Sequence, residues 1–171
     1  MAYLKKLCVV ASILAIAFLG VSCKKAHERV AGGGEAPNFT LTNLQGGSMT
    51  LSELRGKVVL VEFWATWCLP CRELLPELNK VYEKFKDKNF ELLGISVDKG
   101  GDTLSRVRAF AKEYAIIYPI MVDSGTVNVA YGVSGIPAMF IIDKEGKVVS
   151  RHMGFIPGFA DKLSKEIEGL L

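Results

Sequence analysis

Trp67-Cys68-Leu69-Pro70-Cys71 stands where an apolar, strand-like run, Val58–Trp64, gives way to a helical pattern beginning near Leu69. Two cysteines separated by two residues at such a junction make a thiol–disulfide redox pair. The first backbone N–H groups of a helix lack partners and carry partial positive charge, so they favour a thiolate on Cys68 over a thiol. Placement of this kind typically lowers a cysteine pKa from about 8.5 to about 3.5–7.5. Cys71, about one helical turn further on, is placed to attack a mixed disulfide at Cys68 and release the product. Pro70 has no backbone N–H to lose and suits the first turn of the helix.

Two simpler roles fit less well. A zinc site wants four ligands, commonly a second cysteine pair or two histidines. Apart from the pair, the chain offers only Cys8, Cys23, His27 and His152, three of them in or beside the N-terminal leader. A structural disulfide stabilises by closing a long loop, and this pair closes almost none. The expected cofactor is therefore the Cys68–Cys71 disulfide itself, with no metal.

The N-terminus carries Lys5 and Lys6, an apolar run over residues 7–21, then Ser22-Cys23. A charged start, a hydrophobic stretch and a small-residue exit make an export signal. The run falls short of the roughly 20 residues of a spanning helix. Leu19-Gly20-Val21-Ser22-Cys23 resembles a bacterial lipoprotein box, with Gly20 where a leucine is usual. The expectation is a signal peptide over 1–22, a lipid on Cys23, a flexible tether over 23–35 containing Gly32-Gly33-Gly34, and one domain over 36–171. A membrane-anchored protein in the bacterial envelope or periplasm follows. With Cys8 removed and Cys23 acylated, only Cys68 and Cys71 remain as thiols.

Charge argues against nucleic acid. The net charge of +3 falls to +1 without Lys5 and Lys6, and no basic patch interleaved with aromatics is present. From residue 37 onward, strand and helix signals alternate. Short strands are expected at 39–41 and 49–51 around a turn, then a buried strand, Val58–Trp64. A long amphipathic helix follows, Leu69–Phe85, kinked at Pro76. A second buried strand at 90–97, a helix at 103–114, a short strand at 118–122 and a short helix at 127–131 come next. A hairpin of 138–142 with 147–152 and a helix at 158–170 close the chain. Such alternation predicts an α/β fold, a sheet covered on both faces.

The run Trp64-Ala65-Thr66-Trp67-Cys68-Leu69-Pro70-Cys71-Arg72 resembles the active-site stretch of thioredoxin-fold proteins, and Gly135-Ile136-Pro137 resembles their cis-proline loop. The likeness covers about residues 35–171. The extra N-terminal hairpin and the segment 98–119 are similar to the membrane-tethered TlpA/ResA branch. The resemblance implies a thioredoxin-like fold: a central mixed sheet with helices on both faces and an N-terminal β-hairpin extension. It also implies disulfide reduction outside the cytoplasm, often of apocytochromes c before haem attachment, with electrons supplied by a thiol–disulfide membrane protein. Carried over, Pro137 is cis and lies near Cys68, Ile136 offers its backbone to a disulfide-bearing protein substrate, and Trp67 flanks the sulfur that the substrate meets. Without the resemblance Pro137 would be read as trans, since only about 5–6% of X–Pro bonds are cis.

Glu62 interrupts a strand that is apolar on both faces, where a carboxylate is expensive to bury and its pKa rises. It is a candidate proton acceptor for Cys71; thioredoxins resemble this with an aspartate there. The alternative is an edge carboxylate facing water or a lysine. Arg72 either adds positive potential near the cysteines or lies on a solvated helix face, and His152 reads as a surface strand residue. Many ResA-type members carry a glutamate three residues after the second cysteine, where this chain has Leu74; Glu73 is about 100° away around the helix. A thiol peroxidase would need serine or threonine where Ala65 stands. A Sco-type copper carrier would use three residues between its cysteines and a distant histidine. A disulfide oxidase differs by potential, and Leu69-Pro70 lacks the histidine that over-stabilises the thiolate in strongly oxidising relatives.

Overall fold

The computed structural model describes residues 33–171; the signal peptide expected over 1–22, the expected lipid site Cys23 and the expected tether up to residue 32 lie outside the described residues. A short hairpin, β1 (Thr40–Thr42) with β2 (Ser48–Thr50), is followed by a 3-10 turn, Leu51–Leu54. The remaining order is β3 (Val58–Trp64), α1 (Leu69–Phe85), β4 (Phe90–Ser96), α2 (Thr103–Glu113), β5 (Ile120–Val122), α3 (Val127–Ala130), β6 (Ala138–Ile142), β7 (Val148–Met153) and α4 (Phe159–Glu168). The main sheet has the strand order β5-β4-β3-β6-β7. β3, β4 and β5 run parallel, β6 antiparallel to β3, and β7 antiparallel to β6.

β3 lies at the centre, and all seven of its residues are buried. Alternate side chains of a strand point to opposite faces. Val58, Leu60 and Trp64 join an apolar cluster with α1, α2 and α4, through Leu74, Leu78, Val107, Leu163 and others. Val59, Val61 and Phe63 enter the cluster on the other face with Phe39, Leu51, Val127 and Tyr131. Each such aliphatic or aromatic burial contributes about 1.5–3 kcal/mol, so a strand buried on both faces is the spine of the domain. In α1, Leu74, Leu75, Leu78, Val81 and Phe85 recur at helical spacing and turn one stripe inward. The helix runs through Pro76 as a single element, and Pro76 is exposed.

Two details depart from the sequence reading. Glu35, placed at the end of the tether, forms an isolated antiparallel bridge with Lys147, and Val148 N–H donates to the Gly34 carbonyl at 2.9 Å, so the described chain is attached to the sheet edge from its first residues. His152 is no free surface residue. Its side chain is 10% exposed, its Nε2 lies 2.9 Å from Glu166 Oε2, and its ring meets Phe159 edge-on, which clasps β7 to α4. Among the described residues no helix is long and apolar enough to cross a membrane.

Candidate active site

The C-terminal end of β3 carries the site. Cys68 is the N-cap of α1, and its Sγ accepts a hydrogen bond from the Cys71 backbone N–H at 3.2 Å. Cys68 and Cys71 form a disulfide, with Cα atoms 5.3 Å apart. The pair is asymmetric: Cys68 keeps 4% exposure, while Cys71 has none. An incoming sulfur therefore meets Cys68 first. Flanking Cys68, Trp67 and Leu69 are 67% and 66% exposed, an apolar rim uncommon at a surface unless something docks there.

The second loop arrives by strand register. β6 pairs with β3 antiparallel, Ala138 opposite Phe63 and Met139 opposite Glu62. Continuing that register places Pro137 and Ile136 beside Trp64 and Ala65, at the start of the cysteine loop. The Ile136–Pro137 peptide is cis. The Pro137 carbonyl accepts from Gly154 N–H at 2.8 Å, which ties this loop to the end of β7. Ile136 is partly buried and touches both apolar clusters.

Glu62 is fully buried. Its position on β3 matches those of Leu60 and Trp64, so its side chain faces the same layer as Cys71. Tyr118 Oη donates to Glu62 Oε2 at 3.1 Å, and Oε1 has no partner among the described residues. Burial pushes the Glu62 carboxyl up to about 8, with the Tyr118 hydrogen bond partly opposing the shift. Tyr118 is itself raised well above the ordinary phenol value, first by burial and then by the neighbouring Glu62 charge. Gly94, opposite Glu62 on β4, makes the room: a Cβ there would stand 3.0 Å from the Tyr118 ring and 3.2 Å from Trp64 Nε1. Trp64 is wholly buried against Phe110, so only Trp67 of the two tryptophans borders the opening.

Arg72 lies against the cysteine loop rather than on a freely solvated helix face. Its guanidinium donates twice to the Thr66 carbonyl, at 3.1 and 2.7 Å, and lies 5.6 Å from the Phe110 ring centroid. Leu74 is fully buried on the core face of α1 and Glu73 is exposed, so no carboxylate occupies the position three residues after Cys71. Tyr118 and Asp98 escaped the sequence reading. Asp98, 2% exposed, closes a run of hydrogen bonds around Thr66. The only signal for it was a polar Ser96-Val97-Asp98 ending on an otherwise buried strand; Tyr118 had none.

Comparison with known proteins agrees with this geometry. The AhpC/TSA family profile matches residues 33–151. Thiol-disulfide oxidoreductase ResA of Bacillus cereus is 37% identical over 145 residues, covering 84% of this chain and 79% of that protein. Thioredoxin-like protein YneN of Bacillus subtilis is 35% identical over 122 residues, 71% of each chain. Among solved structures, a putative thiol:disulfide interchange protein DsbE from Chlorobium tepidum superposes with a TM-score of 0.76 at 32% identity, over 82% of this chain and 98% of that one. A putative protein disulfide isomerase from Bacteroides thetaiotaomicron gives 0.76 at 37% identity, over 83% and 91%. With its redox disulfide at the start of α1, the chain belongs to the AhpC/TSA family of thioredoxin-fold proteins and, within it, to the ResA-like thiol–disulfide oxidoreductases.

Proposed function

We propose that this oxidoreductase works in the reducing direction, outside the cytoplasm, on disulfides of protein substrates. The observation that carries the reading is the environment of the Cys68 sulfur. It is the outer member of the pair, and its one hydrogen-bond donor among the described residues is the Cys71 backbone N–H. The nearest arginine in sequence, Arg72, is committed to the Thr66 carbonyl. A thiolate with no side-chain donor on its sulfur, stabilised chiefly by a helix start, makes a dithiol that gives up electrons readily.

In the reduced protein the Cys68 thiolate attacks a substrate disulfide. A bond forms between Cys68 and one substrate sulfur, and the other substrate sulfur leaves as a thiolate and takes a proton. Cys71 then loses its proton to the Glu62 carboxylate and attacks Cys68, closing the Cys68–Cys71 disulfide and expelling the second substrate sulfur as a thiolate, which takes a proton from solvent. Two electrons have passed to the substrate. With a pKa of about 8, Glu62 holds that proton at neutral pH in the oxidised protein. It returns the proton to Cys71 when an electron donor reopens the disulfide. Trp67, Ile136 and the cis Pro137 loop receive the substrate chain.

A lipid on Cys23, after removal of the signal peptide over 1–22, keeps the domain at a membrane beside its thiol–disulfide electron donor. Apocytochrome c is the substrate supported by likeness to the ResA/TlpA branch, although that branch's frequent glutamate is replaced here by the buried Leu74. Replacing Cys71 by Ser should trap substrates in cells as mixed disulfides identifiable by mass spectrometry, whereas Cys68→Ser should trap none. Equal trapping by both would remove the assignment of the attacking sulfur. The reduction potential should lie nearer about −270 mV than −120 mV, and a value above about −180 mV would make the protein an oxidant or isomerase.

A further inference from the structure

Thr66 lies two residues before Cys68, and each of its polar backbone and side-chain groups is held. Its N–H donates to Asp98 Oδ2 at 2.8 Å, and its hydroxyl donates to Asp98 Oδ1 at 2.7 Å. Its carbonyl accepts both Arg72 hydrogen bonds. Asp98 follows the end of β4 and is anchored there by Ser96 Oγ at 2.9 Å. Arg106 of α2 donates to Asp98 Oδ1 at 3.4 Å and to the Lys99 carbonyl at 3.0 Å. Beyond the brace, Cys68 N–H donates to the Ala65 carbonyl at 3.1 Å, and Arg72 N–H to the Cys68 carbonyl at 3.3 Å. The path from Asp98 to the N-cap is thus continuous through Thr66.

We propose that Asp98 is a positioning residue for the redox pair: through Thr66 it fixes the loop so that the Cys71 backbone N–H stays aimed at the Cys68 sulfur. The sulfur's charge is stabilised by that one aligned donor and the helix start, and both depend on where the loop puts Cys68. Asp98 suits the task because it stays ionised. Burial alone would raise its pKa, but the Thr66 and Ser96 hydrogen bonds and the Arg106 charge outweigh it and hold the carboxyl below its ordinary value. The inference rests on Cys68 being the attacking sulfur.

The test is the pH profile of iodoacetamide alkylation at Cys68, read by peptide mass in the full chain carrying Cys71→Ser. That single variant tests the parent reading alone: a Cys68 that alkylates with an ordinary pKa near 8.5 would overturn the assignment of the attacking thiol. In the same background Thr66→Val, which changes no charge, should raise the apparent pKa and slow alkylation at pH 7 about three- to tenfold, the size of one net hydrogen bond. Thr66→Ser should keep the original profile. Asp98→Asn should shift in the same direction as Thr66→Val. Loss of a nearby anion would by charge alone favour the thiolate and speed alkylation. A faster Asp98→Asn, or a Thr66→Val profile superimposable on its parent, overturns the proposal even if both variants melt at lower temperature. If Asp98→Asn does not fold, the two Thr66 variants decide.

Discussion

Two carboxylates are buried behind the redox loop, and they titrate in opposite directions. Glu62, in the middle of β3, has one neutral donor and one oxygen without a partner, and its pKa climbs to about 8. Asp98, at the end of β4, receives hydrogen bonds from Thr66 N–H, the Thr66 and Ser96 hydroxyls and Arg106, and its pKa falls. Neither side chain is open to solvent, but Glu62 sits in the middle of the sheet and Asp98 at a strand end beneath the half-exposed Arg106. Shallower depth and a full set of donors act together on Asp98, while Glu62 has neither. The under-supplied carboxylate is free to exchange a proton, and the fully supplied one is a fixed anion on which structure can hang.

The sharpest way to break this contrast is Glu62→Gln. A carboxyl whose folded pKa is raised contributes stability that is fully present below its unfolded value, 4.5, and is lost as pH rises to about 8. Over that window the loss for the wild-type protein is on the order of 4–5 kcal/mol, because each pKa unit is worth about 1.4 kcal/mol. Urea unfolding at pH 5, 7 and 9 should show this slope, and Glu62→Gln should flatten it. Parallel pH curves for the two proteins would mean that Glu62 titrates normally.

Asp98→Asn should act with the opposite sign. A lowered folded pKa gives stability that is present above the unfolded value of 3.8 and vanishes as pH falls through the folded value. We expect a loss of about 3 kcal/mol at pH 7, since hydrogen bonds to a charged group contribute about 1.5–3 kcal/mol each and are not additive. The difference from wild type should shrink toward acid pH. A deficit that is constant with pH would show that the charge of Asp98 is irrelevant.

The smallest effect belongs to Tyr118→Phe. It removes the one donor to Glu62, so the carboxyl should rise further above about 8 and stability at pH 7 should fall by about 1 kcal/mol. Carboxyl NMR titration of Glu62 reads the shift directly. No movement would show that desolvation alone sets the value.

What the sequence could say about this contrast is instructive. Glu62 was legible because a charge inside a seven-residue apolar strand violates the local pattern. The helix from Leu69 and the place of Cys68 at its start were legible because capping and periodicity are local. Asp98 was not, because its partner Thr66 is 32 residues away and meets it only through the parallel pairing of β3 with β4. Tyr118 reaches Glu62 across 56 residues, and His152 meets Glu166 only once α4 folds back on β7. The cis geometry at Pro137 came from family resemblance, since composition and spacing favour trans. Local chemistry was readable, whereas contacts made by tertiary pairing were not.

The two tryptophans bring one more consequence, an optical one. Trp64 is sealed in the core and Trp67 lies open beside Cys68, and the chain has no others. A disulfide quenches a neighbouring indole, while a solvated indole emits further to the red than a buried one. Emission intensity, recovered when the disulfide opens, therefore reports the oxidation state of the cysteine pair, and a red shift of the buried Trp64 emission reports loss of β3. One spectrum separates turnover from unfolding without any added label.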